Sequence, residues 1–349
     1  MRILVISGTG FIGAHAVRSL AGLGHEVTVF HRGQTEADLP PEVRHLHAPE
    51  LQCAPNCNIA RWTDDFRRLH PEVVLYMVPV GEQDAEGVMS TFQGIVRRVV
   101  AISSIDVYRA YGVLHRTEAG PTEPVPLTED APLRQKLYPY RGDPPTKSPE
   151  EPGYWYDKIL AERQVMADPQ LAGTVLRLPM VYGPGDGLHR LFPYLKRMND
   201  QRPAILMDES LAQWRGSRGY VENIAAAIVL ALLDERAAGR IYNVAEPQLL
   251  TEAEWVRRIG QVAGWSGEVV VVPKGRLPEH LRWPANLEQH FVADSNRIRG
   301  ELDYRELLSQ AESLRRTVEW ERAHPPEKID PAAIDYAAED AVLVERNRS

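Results

Sequence analysis

The sequence predicts an α/β protein: a doubly wound parallel sheet with a second, smaller C-terminal lobe. Three observations lead to this prediction. An apolar run at residues 2–6 leads into a glycine-rich turn, a helical pattern follows that turn, and apolar runs then alternate with helical patterns along most of the 349 residues. Apolar runs of this kind are typical of strands buried on both faces, and their alternation with helices indicates a parallel sheet covered on both sides.

The first turn carries a glycine pattern that suits a dinucleotide. It follows a strand and opens a helix at residues 12–23, which is the context that this interpretation requires. The first glycine permits the tight turn, the second lets the backbone approach a pyrophosphate, and the third lets the helix pack against the strand. The helix N-terminus also attracts phosphate. The six residues expected to bind the cofactor are therefore Gly8, Thr9, Gly10, Phe11, Ile12 and Gly13.

The end of the second predicted strand, residues 27–30, indicates which dinucleotide binds. An NAD site usually places Asp or Glu there, to accept hydrogen bonds from the ribose hydroxyls. This chain has His31 and Arg32 instead. The planar guanidinium of Arg32 could pair with a 2′-phosphate, so the sequence favours NADP, with NAD as the alternative.

The remaining elements follow in chain order from short apolar runs, helical periodicity, and start and stop signals. Thr251 and Glu254 have the capping-box spacing, which predicts a helix that begins at residue 252. Further strands are expected at residues 43–47, 73–78, 97–102, 174–178, 241–244 and 269–272. Further helices are expected at residues 59–69, 84–94, 154–167, 188–198, 221–233, 252–263 and 311–322.

These elements predict two lobes, an insertion and a tail. Residues 120–152 are rich in proline and poor in periodic apolar positions, so we expect a long loop or lid. Residues 326–349 are charged and are expected to form an exposed helix or a partly disordered tail. The dinucleotide-binding domain is predicted at residues 1–178 and 220–245, and the substrate-binding lobe at residues 179–219 and 246–325.

Composition limits the class of partner. A net charge of −8 argues against a nucleic-acid surface. The longest apolar stretch, residues 224–233, is too short to cross a bilayer, so no membrane partner is expected. The first strand begins almost at Met1 without a signal peptide before it, and the chain has only two cysteines, so we expect a cytoplasmic protein.

One loop carries residue types that ligate metals. His45, His47, Cys53 and Cys57 lie close together in the sequence and could supply four zinc ligands. Their spacing matches no common zinc pattern, however, and the segment is a Pro-rich loop. We therefore expect two free thiols and no metal.

Candidate catalytic residues follow the strand at 97–102. Ligands gather at the carboxyl ends of strands in a doubly wound sheet, so Ser103 and Ser104 are expected over the cofactor. Tyr154 and Lys158 are four residues apart and should share one face of the predicted helix. An ammonium beside a phenol lowers the pKa of the phenol, which could then exchange a proton with substrate while hydride moves to or from a nicotinamide. Tyr156 is expected to point elsewhere on the helix.

With these motifs in one chain, the sequence resembles the extended short-chain dehydrogenase/reductases, the NAD-dependent epimerase/dehydratase family. The resemblance covers residues 1–325. It is carried by GTGFIG from Gly8, SSIDVY from Ser103, YWYDK from Tyr154, RLPMVYGPGD from Arg177, RGYVENIAAAI from Arg218 and IYNVAEP from Ile241.

The resemblance implies a Rossmann-type lobe, a substrate lobe that often binds a nucleotide sugar, and a homodimer. It implies that Ser104 is the catalytic hydroxyl, Tyr154 the acid/base, Lys158 its partner and a cofactor contact, and Arg218 a diphosphate ligand. From their positions, the further substrate-contact candidates are Arg177, His189 and Arg190.

Three functions remain open at this point. The favoured one is epimerisation or reduction of a nucleotide sugar or a related polyol or carbonyl compound. Asp106 stands where dehydratases of the family carry a catalytic carboxylate, so dehydration or decarboxylation is an alternative, although Ile105 replaces a second expected acid. Met180 replaces the asparagine that often lies near the diphosphate. A non-catalytic relative that senses NADP or binds RNA is the remaining alternative.

Overall fold

The computed structural model describes residues 1–53, 57–142, 144–151 and 153–346. In that part of the chain the strands are β1 (Arg2–Ile6), β2 (Glu26–His31), β3 (Arg44–His47), β4 (Val73–Tyr76), β5 (Arg98–Ser104), β6 (Ala172–Leu178), β7 (Met180–Tyr182), β8 (Ala204–Asp208), β9 (Arg218–Tyr220), β10 (Ile241–Asn243) and β11 (Glu268–Val272).

The helices of the same part are α1 (Phe11–Gly22), α2 (Thr63–Leu69), α3 (Glu82–Phe92), α4 (Arg109–Leu114), α5 (Lys158–Ala167), α6 (Phe192–Asn199), α7 (Glu209–Gln213), α8 (Val221–Leu233), α9 (Glu252–Ala263), α10 (Asn296–Leu302), α11 (Gln310–Ala323) and α12 (Tyr336–Arg346). Within the described ranges, none of these helices is long and apolar enough to cross a membrane.

Seven strands form one parallel sheet in the order β3-β2-β1-β4-β5-β6-β10. The predicted doubly wound α/β fold is therefore confirmed. The chain leaves β1 toward β2 on one side and returns to β4 on the other, so the strand order reverses next to β1. In such sheets ligands bind outside the carboxyl ends of the strands at this reversal.

The two faces of the sheet bury different residues. Val5 packs with Leu20 of α1 and Ile228 of α8, whereas Leu4 packs with Phe92 of α3 and Val165 of α5. Neighbouring residues of β1 thus enter separate cores, because side chains alternate along a strand. The continuous apolar runs of the sequence are explained by burial on both faces.

The C-terminal elements gather around two short parallel pairs, β8 with β11 and β7 with β9. The capping box at α9 is present, since Thr251 Oγ1 accepts from the Glu254 backbone N–H and the Glu254 carboxylate accepts from the Thr251 N–H. The tail carries a helix, α12, held to α6 by a buried ion pair between Glu339 and Arg197. Between α4 and α5 the described residues contain no helix or strand longer than an isolated bridge.

Candidate active site

A cleft of about 880 Å³ lies at the carboxyl ends of β1, β2 and β4. This volume is in the range of ligand-binding sites in general. We call it the amino-terminal cleft; its lining includes Ser7, Thr9, Gly10, His31, Arg32, Thr35, Cys53, Val80, Trp155 and Tyr156.

The glycine turn forms one wall of this cleft. Gly10 is the residue before α1, and a Cβ added to it would meet no atom within 4 Å, so its backbone is open to a ligand. A Cβ on Gly13 would lie 2.8 Å from the carbonyl oxygen of Gly8, so Gly13 is what lets α1 lie directly on the turn. Thr9 and Gly10 line the cleft, whereas Gly8, Phe11, Ile12 and Gly13 lie outside the lining and support the turn.

The end of β2 forms the opposite wall. Arg32 is exposed, and among the described residues its guanidinium has no hydrogen-bond or ion-pair partner. His31 is buried beside it, and its Nδ1 accepts from the Gly33 backbone N–H at 3.3 Å. The wall therefore presents a cation without a partner to the cleft.

A second cavity, of about 710 Å³, lies between the end of β5 and the C-terminal elements. We call it the interlobe cavity. Its lining is largely apolar and aromatic, with a few polar groups, and includes Ser104, Asp106, Tyr111, Tyr140, Met180, Arg190, Arg197, Tyr194, Arg218, Glu252, Trp255, Arg282 and Phe291.

A chain of hydroxyl groups joins the two cavities through Asp106. The hydroxyl of Tyr111 donates to that of Tyr140 at 3.1 Å, and Tyr140 donates to Asp106 Oδ2 at 3.1 Å. From the other side, Tyr156 donates to the same Oδ2 at 3.1 Å. Because Tyr156 lines the amino-terminal cleft and Asp106 lines the interlobe cavity, this hydrogen bond connects the two sites.

Burial sets the protonation of this chain. It raises the pKa of Asp106, whose Oδ1 is buried and has no hydrogen-bond partner among the described residues. Burial and the neighbouring Asp106 carboxylate raise the pKa of Tyr156 as well. Burial therefore disfavours the charged form of both groups, and Tyr156 keeps its proton in the hydrogen bond to Asp106 Oδ2.

The two serines at the end of β5 point to opposite sides of the sheet, as alternate residues of a strand must. Ser104 Oγ accepts from the Asp106 backbone N–H at 3.2 Å and lines the interlobe cavity, so its own proton remains available to a ligand. Ser103 is buried and donates to Glu162 instead. Ser103, the predicted cofactor contact, therefore lies outside the lining of both cavities.

The prediction that Tyr154 and Lys158 share a helix face is also wrong. Helix α5 begins at Lys158, because the Asp157 carboxylate caps it by accepting from the Ile159 backbone N–H at 2.9 Å. Tyr154 precedes the helix, and its ring lies against the Arg141 guanidinium, 4.1 Å from ring centroid to Cζ. Tyr156, which we expected to point elsewhere, lines the amino-terminal cleft and donates to Asp106.

Lys158 lies buried below Tyr156. Its Nζ donates to the carbonyl oxygens of Pro79, at 2.6 Å, and Ile102, at 3.0 Å, and lies 5.4 Å from the centroid of the Tyr156 ring. Burial lowers the pKa of Lys158 to about 8, against the opposing charge of Asp106. Lys158 thus ties the ends of β4 and β5 together and places a positive charge under the site, without lining either cavity.

Two predicted substrate contacts, Arg177 and His189, lie outside the lining of the interlobe cavity. Arg177 is buried in an ion pair with Glu162, 2.7 Å between Nη2 and Oε2, and also donates to the Tyr108 hydroxyl, so it belongs to the core. His189 lies outside the lining of the interlobe cavity, where its Nδ1 pairs with Glu321 at 2.8 Å.

The arginines that do line the interlobe cavity already have partners. Arg190 pairs with Asp186 at 2.6 Å, and Arg218 pairs with the buried carboxylate of Glu252 while lying 4.5 Å from the Trp255 ring centroid. The other two also have partners. Arg197 forms an ion pair with Glu339, and Arg282 donates to the backbone carbonyl oxygens of Leu277 and Gly275.

Sequence reasoning missed three tyrosines that form the hydroxyl chain: Tyr156, Tyr111 and Tyr140. For Tyr156 a signal existed, since Asp157 followed by a helical pattern is an N-cap signal that would have excluded Tyr154 from the helix. Tyr111 and Tyr140 had no sequence signal, since Tyr140 lies in the Pro-rich segment and reaches Asp106 only through the tertiary fold.

Comparison with known proteins identifies the family to which the chain belongs and two related reductases. A family model described as "NAD dependent epimerase/dehydratase family" matches residues 3–245. A 2′-dehydrokanamycin reductase of Streptomyces kanamyceticus is 26% identical over 308 residues, 85% of this chain and 75% of that protein. A 2-alkyl-3-oxoalkanoate reductase of Stenotrophomonas maltophilia is 26% identical over 282 residues, 76% of each.

One solved structure illustrates the likeness in fold. A dTDP-glucose 4,6-dehydratase from Bacillus anthracis in complex with NAD has a TM-score of 0.65 and 17% sequence identity, over 93% of this chain and 97% of that one. At this identity the likeness concerns the fold alone.

Proposed function

The chain belongs to the NAD dependent epimerase/dehydratase family, and from that premise we propose that it is an NADPH-dependent reductase that converts a carbonyl group of a compact substrate into an alcohol. The observation that carries the proposal is the hydrogen bond from Tyr156 to Asp106. It places one proton-donating chain between the amino-terminal cleft, where the cofactor would bind, and the interlobe cavity, where the substrate would bind.

The amino-terminal cleft fits a dinucleotide phosphate. The backbone at Gly10 is open at the start of α1, where it can approach a pyrophosphate, and Thr9 lines the same wall. Arg32 offers a guanidinium without a partner among the described residues, at the position where a 2′-phosphate would lie. These residues support NADP over NAD.

Arg32→Ala is expected to weaken NADP binding about 10- to 100-fold and to leave NAD binding unchanged. The range corresponds to the loss of charged hydrogen bonds worth about 1.5–3 kcal/mol. Titration calorimetry with both nucleotides measures it, with Arg67→Ala on α2 as an exposed control. Equal losses for NADP and NAD would contradict a 2′-phosphate role.

The proton chemistry follows from the hydroxyl chain. NADPH held by the amino-terminal cleft would supply the hydride for the reduction. Tyr156 gives its proton to the carbonyl oxygen, which Ser104 holds by a hydrogen bond, and the product is the alcohol. The Asp106 carboxylate, which accepts from the hydroxyls of Tyr140 and Tyr156, then passes a proton from Tyr140 to Tyr156, and solvent replaces that proton through Tyr111.

Reduction is favoured over epimerisation by the relatives, since both curated relatives described above are named as reductases.

The interlobe cavity favours a substrate without a diphosphate. A nucleotide sugar brings two phosphate charges, which need cations free to pair with them. The arginines lining this cavity are already engaged by carboxylates or carbonyl oxygens, and Met180 lies in the lining with its thioether. We therefore propose a compact carbonyl compound as the substrate, in place of the nucleotide sugar expected from the sequence.

A substrate panel tests the proposal. Absorbance of NADPH is followed with 2-alkyl-3-oxoalkanoates, cyclic ketones and ketosugars on one side and with UDP- and dTDP-sugars on the other. NADPH is expected to be consumed only with the first group. Conversion of a nucleotide sugar without net consumption of NADPH would identify an epimerase or dehydratase and overturn the proposal.

A further inference from the structure

Four side chains with metal-ligating atoms meet at the open edge of the large sheet, beside the amino-terminal cleft. Each offers one atom, and these atoms all lie within 4.8 Å of one another. We call this group the histidine cluster; its members are His31, Glu36, His45 and His47.

Strand pairing brings the three histidines together. In the parallel register of β2 with β3, His31 lies opposite His47, and His45 is two residues before His47. Residues two apart on a strand share a face, so all three rings lie on one side of the sheet. Their centroids are 4.6, 5.1 and 5.7 Å apart.

The distances between the ligating atoms are close to those of a metal site. His31 Nε2 is 2.9 Å from His45 Nδ1, and Glu36 Oε1 is 3.2 Å from His47 Nε2. Glu36 Oε2 is 3.8 Å from His45 Nδ1. Tetrahedral zinc holds nitrogen and oxygen ligands at about 2.0–2.2 Å, which places the ligand atoms roughly 3.3 Å from one another.

We propose that the histidine cluster binds one Zn²⁺ ion. Three imidazoles and one carboxylate form a ligand set that suits zinc, whereas Mg²⁺ and Ca²⁺ prefer oxygen ligands throughout. β3 is the edge strand of the sheet, and about half of the Glu36 and His47 side chains is exposed, so an ion can enter from solvent. The site involves neither Tyr156 nor Asp106 and does not depend on the proposed reduction.

Metal binding requires the rings of both His31 and His47 to change tautomer, since His47 Nε2 donates its proton to the Glu36 carboxylate and must release it to bind a metal. His31 Nδ1 accepts from the Gly33 N–H, so the proton of the ring lies on Nε2 and is donated to His45 Nδ1. A metal bound at His31 Nε2 moves that proton to Nδ1 and removes the acceptor of the Gly33 N–H. Gly33 has a φ of 74°, and as a glycine it can turn without strain.

The two cysteines that the sequence grouped with these histidines take no part. Cys53 lines the amino-terminal cleft, and Cys57 packs against Gly87, where its Sγ would lie 2.9 Å from an added Cβ. They therefore supply the matched control for the cluster.

Zinc binding is measured on the untagged full-length protein after removal of metal with a chelator. Titration calorimetry with ZnCl₂ and elemental analysis after gel filtration are expected to give one zinc per chain. The double variant His45→Ala/His47→Ala should lose this zinc, and the double variant Cys53→Ser/Cys57→Ser should retain it. Co²⁺ should give the visible absorption of a tetrahedral site in the wild type and in the cysteine variant, and should not give it in the histidine variant.

Folding of the variants is checked by circular dichroism and by thermal unfolding. Glu36→Gln changes one exposed side chain and is expected to weaken zinc binding on the order of tenfold. The proposal is overturned if the wild type binds no stoichiometric zinc, if the histidine variant binds it undiminished, or if the cysteine variant loses it. None of these outcomes bears on carbonyl reduction, whose failure would show in the substrate panel.

Discussion

Replacing Tyr156 with phenylalanine is expected to lower kcat for carbonyl reduction about 10²- to 10⁴-fold, the usual worth of a positioned general acid. The variant loses the only hydroxyl that joins the lining of the amino-terminal cleft to Asp106 in the described part of the chain. The ring remains, so packing over Lys158 and the affinity for NADP should change little. Steady-state kinetics and nucleotide titration measure the two quantities separately.

Tyr154→Phe is the matched control, since it removes the same atom two residues away. The Tyr154 ring lies against Arg141, outside the lining of both cavities, so its kcat should stay near that of the wild type. The reverse result, a large loss for Tyr154→Phe and a small one for Tyr156→Phe, would mean that the helix extends to Tyr154 in the working enzyme.

The fold was predictable because its signals are local. Continuous apolar runs such as residues 2–6 and 98–102 indicate strands buried on both faces, and the glycine turn before α1 has one common structural context. Each of these inferences needs only a window of sequence. The strand order, with β4 on the other side of β1 from β2, is known only from the structure.

The site was predictable only in part, because its decisive contacts are distant in sequence. Ser104 and Asp106 follow β5, where the fold rule places ligands, and both line the interlobe cavity. Arg218 also lines that cavity, but its charge is balanced by Glu252, 34 residues further along. From the sequence alone Arg218 is a candidate phosphate ligand, because the sequence does not show that Glu252 pairs with it.

The error at Tyr154 has a different cause. Spacing by four residues implies a shared face only inside a helix, and this helix begins at Lys158 with Asp157 as its N-cap, so Tyr154 lies outside it. The cap turns the chain so that Tyr156, two residues before the lysine, lies over its ammonium group. A motif defined by spacing therefore needs the helix start to be established first.

Lys158→Met is expected to lower kcat about 10²-fold or more and to remove the fall in activity at high pH. The ammonium group stabilises the phenolate that forms as Tyr156 gives up its proton, a contribution typical of charges placed near a reacting group. Burial lowers the pKa of Lys158 to about 8, so wild-type activity should decline as the pH rises through about 8. The methionine variant has no group to lose there, and its residual rate should be flat across the same window.

The same deprotonation of Lys158 should raise the free energy of unfolding as the pH rises, while activity falls. This difference distinguishes loss of activity through Lys158 from loss through unfolding. The unfolded chain holds the Lys158 proton up to its ordinary pKa of 10.5, whereas the folded protein releases it from about 8 upward. Between these values the unfolded state binds more protons, so the free energy of unfolding rises with pH, measured relative to Lys158→Met. Denaturant titrations should therefore show a larger free energy of unfolding for the wild type, relative to the variant, at pH 9.5 than at pH 7. Over the same pH range the activity of the wild type should fall. A parallel decline of both would indicate that the high-pH loss is unfolding and that the charge of Lys158 has no role in the proton transfer.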